Sequence, residues 1–252
     1  NHFQYRQFST YEALYKPCDT GCKKRFAALM APYQEDAQKE ARQLVSAKPS
    51  TRVSTLTKLK QISQHLYSKF GSQHGYPGEI IQRLPPLEQY KILSSDTAQK
   101  LWCGTWAQQV SFFSGSHDVI SRHVQIIKPG DHHVLNECYL PERQQWVLVD
   151  LTHNIALGEK DNRLLNTQDF VQALANPGAV LIDTGSGTKM RLSHMKECKS
   201  VLSYYQSKYD YYYYQSIHTD MVYSAENKLK RYFLPVSWYE IFTPVSRIAF
   251  GY

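Results

Sequence analysis

No stretch of this sequence strings together the roughly 18–20 apolar residues that a membrane helix needs, so no membrane span is expected. Nor does the chain open on a charged start, an apolar run and a small-residue cleavage site, the pattern of a secretory leader. It begins at Asn1 rather than at Met, which hints at a removed leader and an exported (periplasmic, surface or secreted) protein. There is no dense Lys/Arg block and no nucleic-acid-binding motif. Lys plus Arg total 29 against 22 for Asp plus Glu, a scattered excess that fits solubility or attraction to an anionic surface or glycan better than nucleic acid. No second Cys/His pair follows Cys18 and Cys22 at finger spacing, and neither a metal nor another cofactor is expected. Internal repeats are absent as well.

What remains is an ordinary globular composition, 42% hydrophobic and 20% charged over 252 residues, enough for one large domain or two small ones. The five cysteines are Cys18, Cys22, Cys103, Cys138 and Cys198, an odd count that leaves at least one thiol unpaired. Cys18 and Cys22 either close a small disulfide loop, which would favour an oxidising compartment, or are two unrelated thiols. The first hundred residues read as helical. A helix is expected from Pro32 to about Ala47, and another from Thr51 to Phe70 on the spacing of Val53, Leu56, Leu59, Ile62, Leu66 and Phe70, ended by Gly71. Gly71 to Pro86 reads as loop, and Leu87 to Leu93 or Lys100 as a further helix. From residue 101 the texture changes. Val119–Ile127, Val134–Leu140, Trp146–Leu151 and Ala179–Asp183 read as strands, and Thr167–Ala175 as a helix capped by Thr167. The run Tyr204–Tyr214 is open between a strand pair, a sugar-binding surface and packing, with packing favoured. Helices ahead of an antiparallel sheet give an α+β class, with residues 1–100 as a helical region and 101–252 as the core with a Tyr-rich extension, one compact domain in all.

The chemistry centres on three residues. From Cys103 onward, Cys103, Trp106, Ala107, Val110 and Ser114 share one helical face, so a helix beginning at Cys103 sets the sulfur at a helix N-terminus, where free N–H groups stabilise a thiolate. Further on, Leu140 and Gln145 bracket a four-residue hairpin loop. That register sets Leu135 opposite Asp150 and makes His133 the diagonal neighbour of Asp150 on the same face, while His132 points to the other. A cysteine at a helix start, with an imidazole and a carboxylate on adjacent strands, is the arrangement of a nucleophile, its base and the base's orienter.

The strings Cys103-Gly104-Thr105-Trp106-Ala107, Ile120-Ser121-Arg122-His123-Val124, His133 to Pro141 and Trp146 to Thr152 together resemble the core of transglutaminase-like proteins over about residues 102–152. The Cys-Gly-x-Trp-Ala stretch is also similar to peptide:N-glycanases. The resemblance implies a papain/transglutaminase-like core in which Cys103 is the nucleophile, His133 the general base and acid, and Asp150 the orienter. It implies attack on an amide or acyl carbon to give a thioester, then hydrolysis by water or transfer to an amine. The expected function is therefore hydrolysis of an amide bond in a peptide, cell-wall peptidoglycan or glycopeptide. An acyl or amine transferase, or a non-catalytic glycan- or peptide-binding module on the same scaffold, is the alternative. The sequence departs from the family pattern at Leu151, where Pro is usual, at Cys138, expected as a buried hydrophobe, and at Trp102. The zinc-binding cysteine pairs of the glycanases are missing. The backbone N–H of Cys103 is the expected oxyanion donor. Trp102, Gln89 and Trp106 are weaker side-chain candidates, Trp106 being expected rather to pack in the core.

Overall fold

A computed structural model describes residues 11–45, 53–78, 81–82, 84–206, 208–214 and 248–250. It is a mixed fold of helices and antiparallel sheets, the α+β class the residue pattern predicts. After a single turn, α1 (Tyr11–Leu14), come α2 (Thr20–Met30), α3 (Glu35–Val45), α4 (Thr55–Phe70), α5 (Pro86–Ser95) and α6 (Cys103–Ser116). The helix α2 was not foreseen: a glycine and two lysines near its start blur its apolar stripe, and Asp19 makes it by capping, its carboxylate accepting from Cys22 N–H at 2.8 Å. The helix α4 is capped by Ser54 and buries Leu59, Ile62, Leu66 and Phe70, four of the six positions read from its periodicity. The expected ends at Ala47 and Thr51 lie outside the described residues.

The strands β1 (Ser121–Lys128), β2 (Asp131–Leu140), β3 (Gln145–Val149), β8 (Asp210–Tyr214) and β9 (Ile248–Phe250) form one antiparallel sheet in the order β3-β2-β1-β8-β9. The strands β4 (Ile155–Lys160), β5 (Arg163–Leu164), β6 (Leu181–Thr184) and β7 (Lys189–Arg191) form a second, in the order β5-β4-β6-β7. The hairpin β2–β3 pairs Leu140 with Gln145 and Asn136 with Val149, the register expected from its four-residue loop. Leu151 does not extend β3 as expected. It opens a buried 3₁₀ turn, Leu151–His153. Two short helices, α7 (Thr167–Ala173) and α8 (Cys198–Tyr204), complete the described fold. The cap of α7 is Asn166 rather than Thr167, because Asn166 Oδ1 accepts from Asp169 N–H at 2.8 Å.

Every residue of α6 from Thr105 to Ser116 is buried. Trp106, Val110, Phe112 and Phe113 join Phe26, Met30, Leu59, Leu66, Phe70 and Leu93 of the surrounding helices in one apolar cluster with Leu140, Val147 and Val149 of the sheet. Burying one such side chain stabilises by about 1.5–3 kcal/mol, so this cluster fixes α6 between helices and sheet. A polar set fixes its register along the strands: Asn136 Nδ2 donates to Ala107 O at 3.1 Å and to Ser111 Oγ at 2.9 Å, and His123 Nε2 lies 3.0 Å from the same Oγ. On the far side of the sheet, Arg122 pairs with the buried carboxylate of Glu137. Glu137 Oε1 accepts from Tyr15 OH and from Thr167 N–H, tying α7 and the N-terminal segment to the sheet.

The Tyr-rich segment splits. Tyr204 ends α8, while buried Tyr205, Tyr211 and Tyr213 pack into the second apolar cluster. Cys18 and Cys22 form a disulfide, with Cα atoms 5.3 Å apart. Among the described residues, no helix is long and apolar enough to cross a membrane.

Candidate active site

Cys103 is the first residue of α6, and it is partly exposed where most of its helix is buried. Two backbone bonds hold the approach to it: Leu101 N–H donates to Gln73 O at 2.8 Å and Gly75 N–H to Leu101 O at 2.9 Å. The N-cap, Trp102, makes no side-chain cap hydrogen bond, so the first-turn N–H groups are not spent on it. Its indole lies across the helix start, with Nε1 about where a side chain at position 104 would stand (3.2 Å from a Cβ built on Gly104). A side chain there would need the indole to give way by a few tenths of an ångström.

The base lies on β2. His133 is buried and its Nε2 is 2.8 Å from Asp150 Oδ2, the contact expected from the hairpin register. The thiol of Cys103 is a hydrogen-bonding and charge partner of the same ring. Burial disfavours a charged imidazole, but the charge and hydrogen bond of Asp150, with Cys103 adding in the same direction, outweigh it and push His133 up to about 10. Burial likewise opposes ionisation of Asp150, and the His133 and His153 rings overcome it, holding the carboxyl well below the usual range.

Asp150 has more partners than the sequence disclosed. The 3₁₀ turn after β3, closed by Asn154 at φ 60°, brings His153 back so that its Nδ1 lies 2.6 Å from Asp150 Oδ2. Tyr205 OH, from the end of α8, donates to the same oxygen at 2.6 Å. Burial, then the adjacent carboxylate, raises Tyr205 well above an ordinary phenol and keeps its donor proton in place. The other ring nitrogen of His153 lies 3.0 Å from Ser200 Oγ. His153 sits three residues past the aspartate, a spacing visible in the sequence, but only the turn makes it face back. Tyr205 and Ser200 lie about fifty residues on, with no local signal.

A cleft of about 280 Å³ opens over this group, lined by Trp102, Cys103, His133, His153, Ser200 and Tyr204 among others. Tyr204 stands against both imidazoles, its ring centre 5.2 Å from that of His133 and 5.5 Å from that of His153. Its hydroxyl donates to Asp131 at 2.8 Å, and burial followed by that carboxylate pushes it up to about 12. Exposed Tyr76 packs edge-on against Trp102, ring centres 4.7 Å apart. His132, assigned by strand alternation to the opposite face, is exposed and borders the cleft at the end of β2.

No protein-family model, curated protein or solved structure matches this chain.

The remaining sequence candidates lie elsewhere. Gln89 is fully buried, donating to Leu84 O and Gln108 Oε1 and accepting from Gln109. Trp106 is buried between Tyr67 and Phe70. Neither borders the cleft, and both are withdrawn as oxyanion donors, because apolar packing and amide pairing turn them into the core. Trp102 does border it. Cys138 is a buried thiol pushed up to about 12 by burial, the inert hydrophobe its strand position predicts.

His133, Asp150 and His153 offer donor types that suit a transition metal, all within 4.8 Å of one another. Their spacing is that of hydrogen bonds. Asp150 Oδ2 lies 2.8 and 2.6 Å from the two ring nitrogens, closer than the roughly 3.3 Å between neighbouring ligands of a tetrahedral zinc ion. The arrangement orients imidazoles around one carboxylate.

Proposed function

We propose that this protein is a cysteine-dependent enzyme of the transglutaminase-like type that cleaves an amide bond through a thioester. The observation that carries the reading is that Cys103 at the start of α6 and the His133 ring, whose Nε2 lies 2.8 Å from Asp150 Oδ2, line one cleft, with the thiol acting electrostatically on that ring. The attacking species is the thiolate, with the His133 imidazolium beside it as counter-charge and proton donor. Sγ attacks the amide carbon, and the developing oxyanion turns to the N–H groups of the first turn of α6, that of Cys103 included. His133 then protonates the departing amine, leaving a thioester. In the second half, His133 takes a proton from the incoming water and the thioester C–S bond breaks. Asp150, anchored by Tyr205, holds the ring through both halves.

Two features support the proposed substrate class and export. Half-exposed Trp102, which lines the cleft, and exposed Tyr76 packed against it offer flat apolar faces suited to a sugar ring or a peptide side chain, which supports a peptide, peptidoglycan or glycopeptide amide. The Cys18–Cys22 disulfide supports export to an oxidising compartment.

Alkylation with iodoacetamide at pH 6 tests the reading without a substrate. Cys103 is expected to label faster than an exposed model thiol, and Cys138 and Cys198 to lag. His133→Gln is expected to slow Cys103 labelling by about 10²-fold or more and His132→Gln to leave it within about threefold. Labelling of Cys103 no faster than the model thiol, or a larger effect from His132 than from His133, overturns it.

A further inference from the structure

Asp150 serves two imidazoles, and the proposed thiol chemistry uses one. The other, His153, is buried, and its two nitrogens are committed in opposite senses. Nδ1 faces the carboxylate at 2.6 Å, so it carries the proton; Nε2 therefore presents a lone pair, and what faces it at 3.0 Å is the hydroxyl of Ser200. Ser200 is exposed and lines the same cleft as Cys103. It stands one helical turn before Tyr204 on α8, so the two share the face turned to the cleft, while Tyr205 reaches behind to Asp150. A hydroxyl hydrogen-bonded to an imidazole Nε2, with a buried carboxylate holding Nδ1–H, is the arrangement that activates a serine nucleophile. Here it is assembled from the 3₁₀ turn after β3 and from α8.

We propose that Ser200 is a second nucleophile of this cleft, activated by His153, and that it takes carboxylic esters. Ser200 Oγ forms a bond to the ester carbonyl carbon while its proton passes to His153 Nε2. The bond from that carbon to the alkoxy oxygen then breaks, and the leaving alkoxide collects the proton from His153, giving an acyl-Ser200 and an alcohol. Water, deprotonated by His153, releases the acid and restores the hydroxyl. No other reactant is needed. The arrangement does not depend on Cys103, so one cleft carries a thiol and a hydroxyl that share a single orienting carboxylate.

The test uses the full chain with Cys103→Ala, so that no cleft thiol competes, and an alkyl fluorophosphonate as probe. Attack by Oγ on phosphorus expels fluoride, with the proton leaving through His153, and the adduct is located by peptide mass. Ser200 is expected to be modified at least about 10²-fold faster than the exposed serines Ser193 and Ser203, His153→Gln to remove about 10²-fold of that rate, and Ser200→Ala to abolish the adduct. p-Nitrophenyl acetate is expected to give a burst of one acyl group per chain that the Ser200→Ala protein lacks. Modification of Ser200 no faster than of Ser193 and Ser203, or a rate indifferent to His153→Gln, overturns the proposal. Should the His153 variant fail to fold, the comparison among the three serines in the Cys103→Ala protein decides alone. Because iodoacetamide reads Cys103 and the fluorophosphonate reads Ser200, an inert thiol with a reactive serine defeats only the thioester reading, and the reverse defeats only this one.

Discussion

His123 and His133 sit on neighbouring strands of one sheet, both buried, three positions apart in register, and their rings titrate on opposite sides of an ordinary imidazole. His123 is surrounded by neutral groups: its Nε2 meets Ser111 Oγ, and burial pulls it down to about 4 against a small opposing hydrogen bond at the Ala107 backbone. His133 is almost as completely buried, yet Asp150 lifts it to about 10. Burial alone thus makes a neutral structural histidine. The same burial with one carboxylate at 2.8 Å makes an imidazolium next to a thiol. The first pins α6 to the sheet, and the second gives that helix's first residue its chemistry.

Removing the charge should collapse the difference. Asp150→Asn leaves His133, His153 and Tyr205 facing an amide, and unpairing a buried ion of this kind costs about 3–5 kcal/mol, read from urea unfolding at neutral pH. His133 in that variant should titrate below 6.5, like His123, and Cys103 alkylation at pH 6 should slow, by less than in His133→Gln. If His133 kept its high value, something other than Asp150 would be holding the charge.

The two rings also predict opposite pH limbs of stability. For His123 the unfolded ring takes up a proton as pH falls through 6.5, while the folded ring resists until about 4. The unfolded state binds more protons across that window, so stability is full above 6.5 and drains as pH falls toward 4, by about 3 kcal/mol. For His133 the folded pKa is the raised one: its contribution is full below 6.5 and is lost as pH rises through about 10. His123→Gln should flatten the acid limb and leave the alkaline limb in place, measured by urea midpoints from pH 4 to 10. An unchanged acid limb would show that His123 is not the group refusing the proton.

How far this pairing was legible in the sequence follows from the same residues. The His133–Asp150 contact was readable because a four-residue loop and the two-residue strand period fix a hairpin's register, and hairpin contacts are local. The helix α6 was readable from the face shared by Trp106, Ala107 and Val110, while its start at Cys103 was what the transglutaminase-like resemblance implied. His153 was not, because a 3₁₀ turn with a left-handed Asn154 replaced the expected strand end at Leu151. Tyr205 and Ser200 were not, since a seven-residue helix has too little periodicity to announce itself and its docking is set by distant packing. The oxyanion candidate Gln89 misled because residue type says nothing about which way a side chain on a buried helix turns, while Trp106 packs in the core as expected.

Smaller changes sharpen the comparison. Tyr205→Phe deletes one donor to Asp150 Oδ2 and should cost about 1.5–3 kcal/mol, the range for a hydrogen bond to a charged group, with His133 still charged at neutral pH. Ser111→Ala removes the neutral partner of His123 and should cost about 1 kcal/mol without carrying His123 upward across 6.5, since no charge is involved. Thermal or urea unfolding of the two variants side by side checks both. A Tyr205→Phe effect no larger than that of Ser111→Ala would mean that the charge on Asp150 adds nothing to its hydrogen bonds.

The measurement that bears most directly on the account is a titration of the imidazole nitrogens by ¹⁵N NMR, with His133 and His123 assigned through their glutamine variants. The account predicts that His133 stays doubly protonated from pH 5 through pH 9 while His123 is already neutral at pH 5.5. A His133 that loses its proton below pH 6.5 would contradict the charged imidazole beside Cys103, and with it the nucleophile that the site is argued to hold.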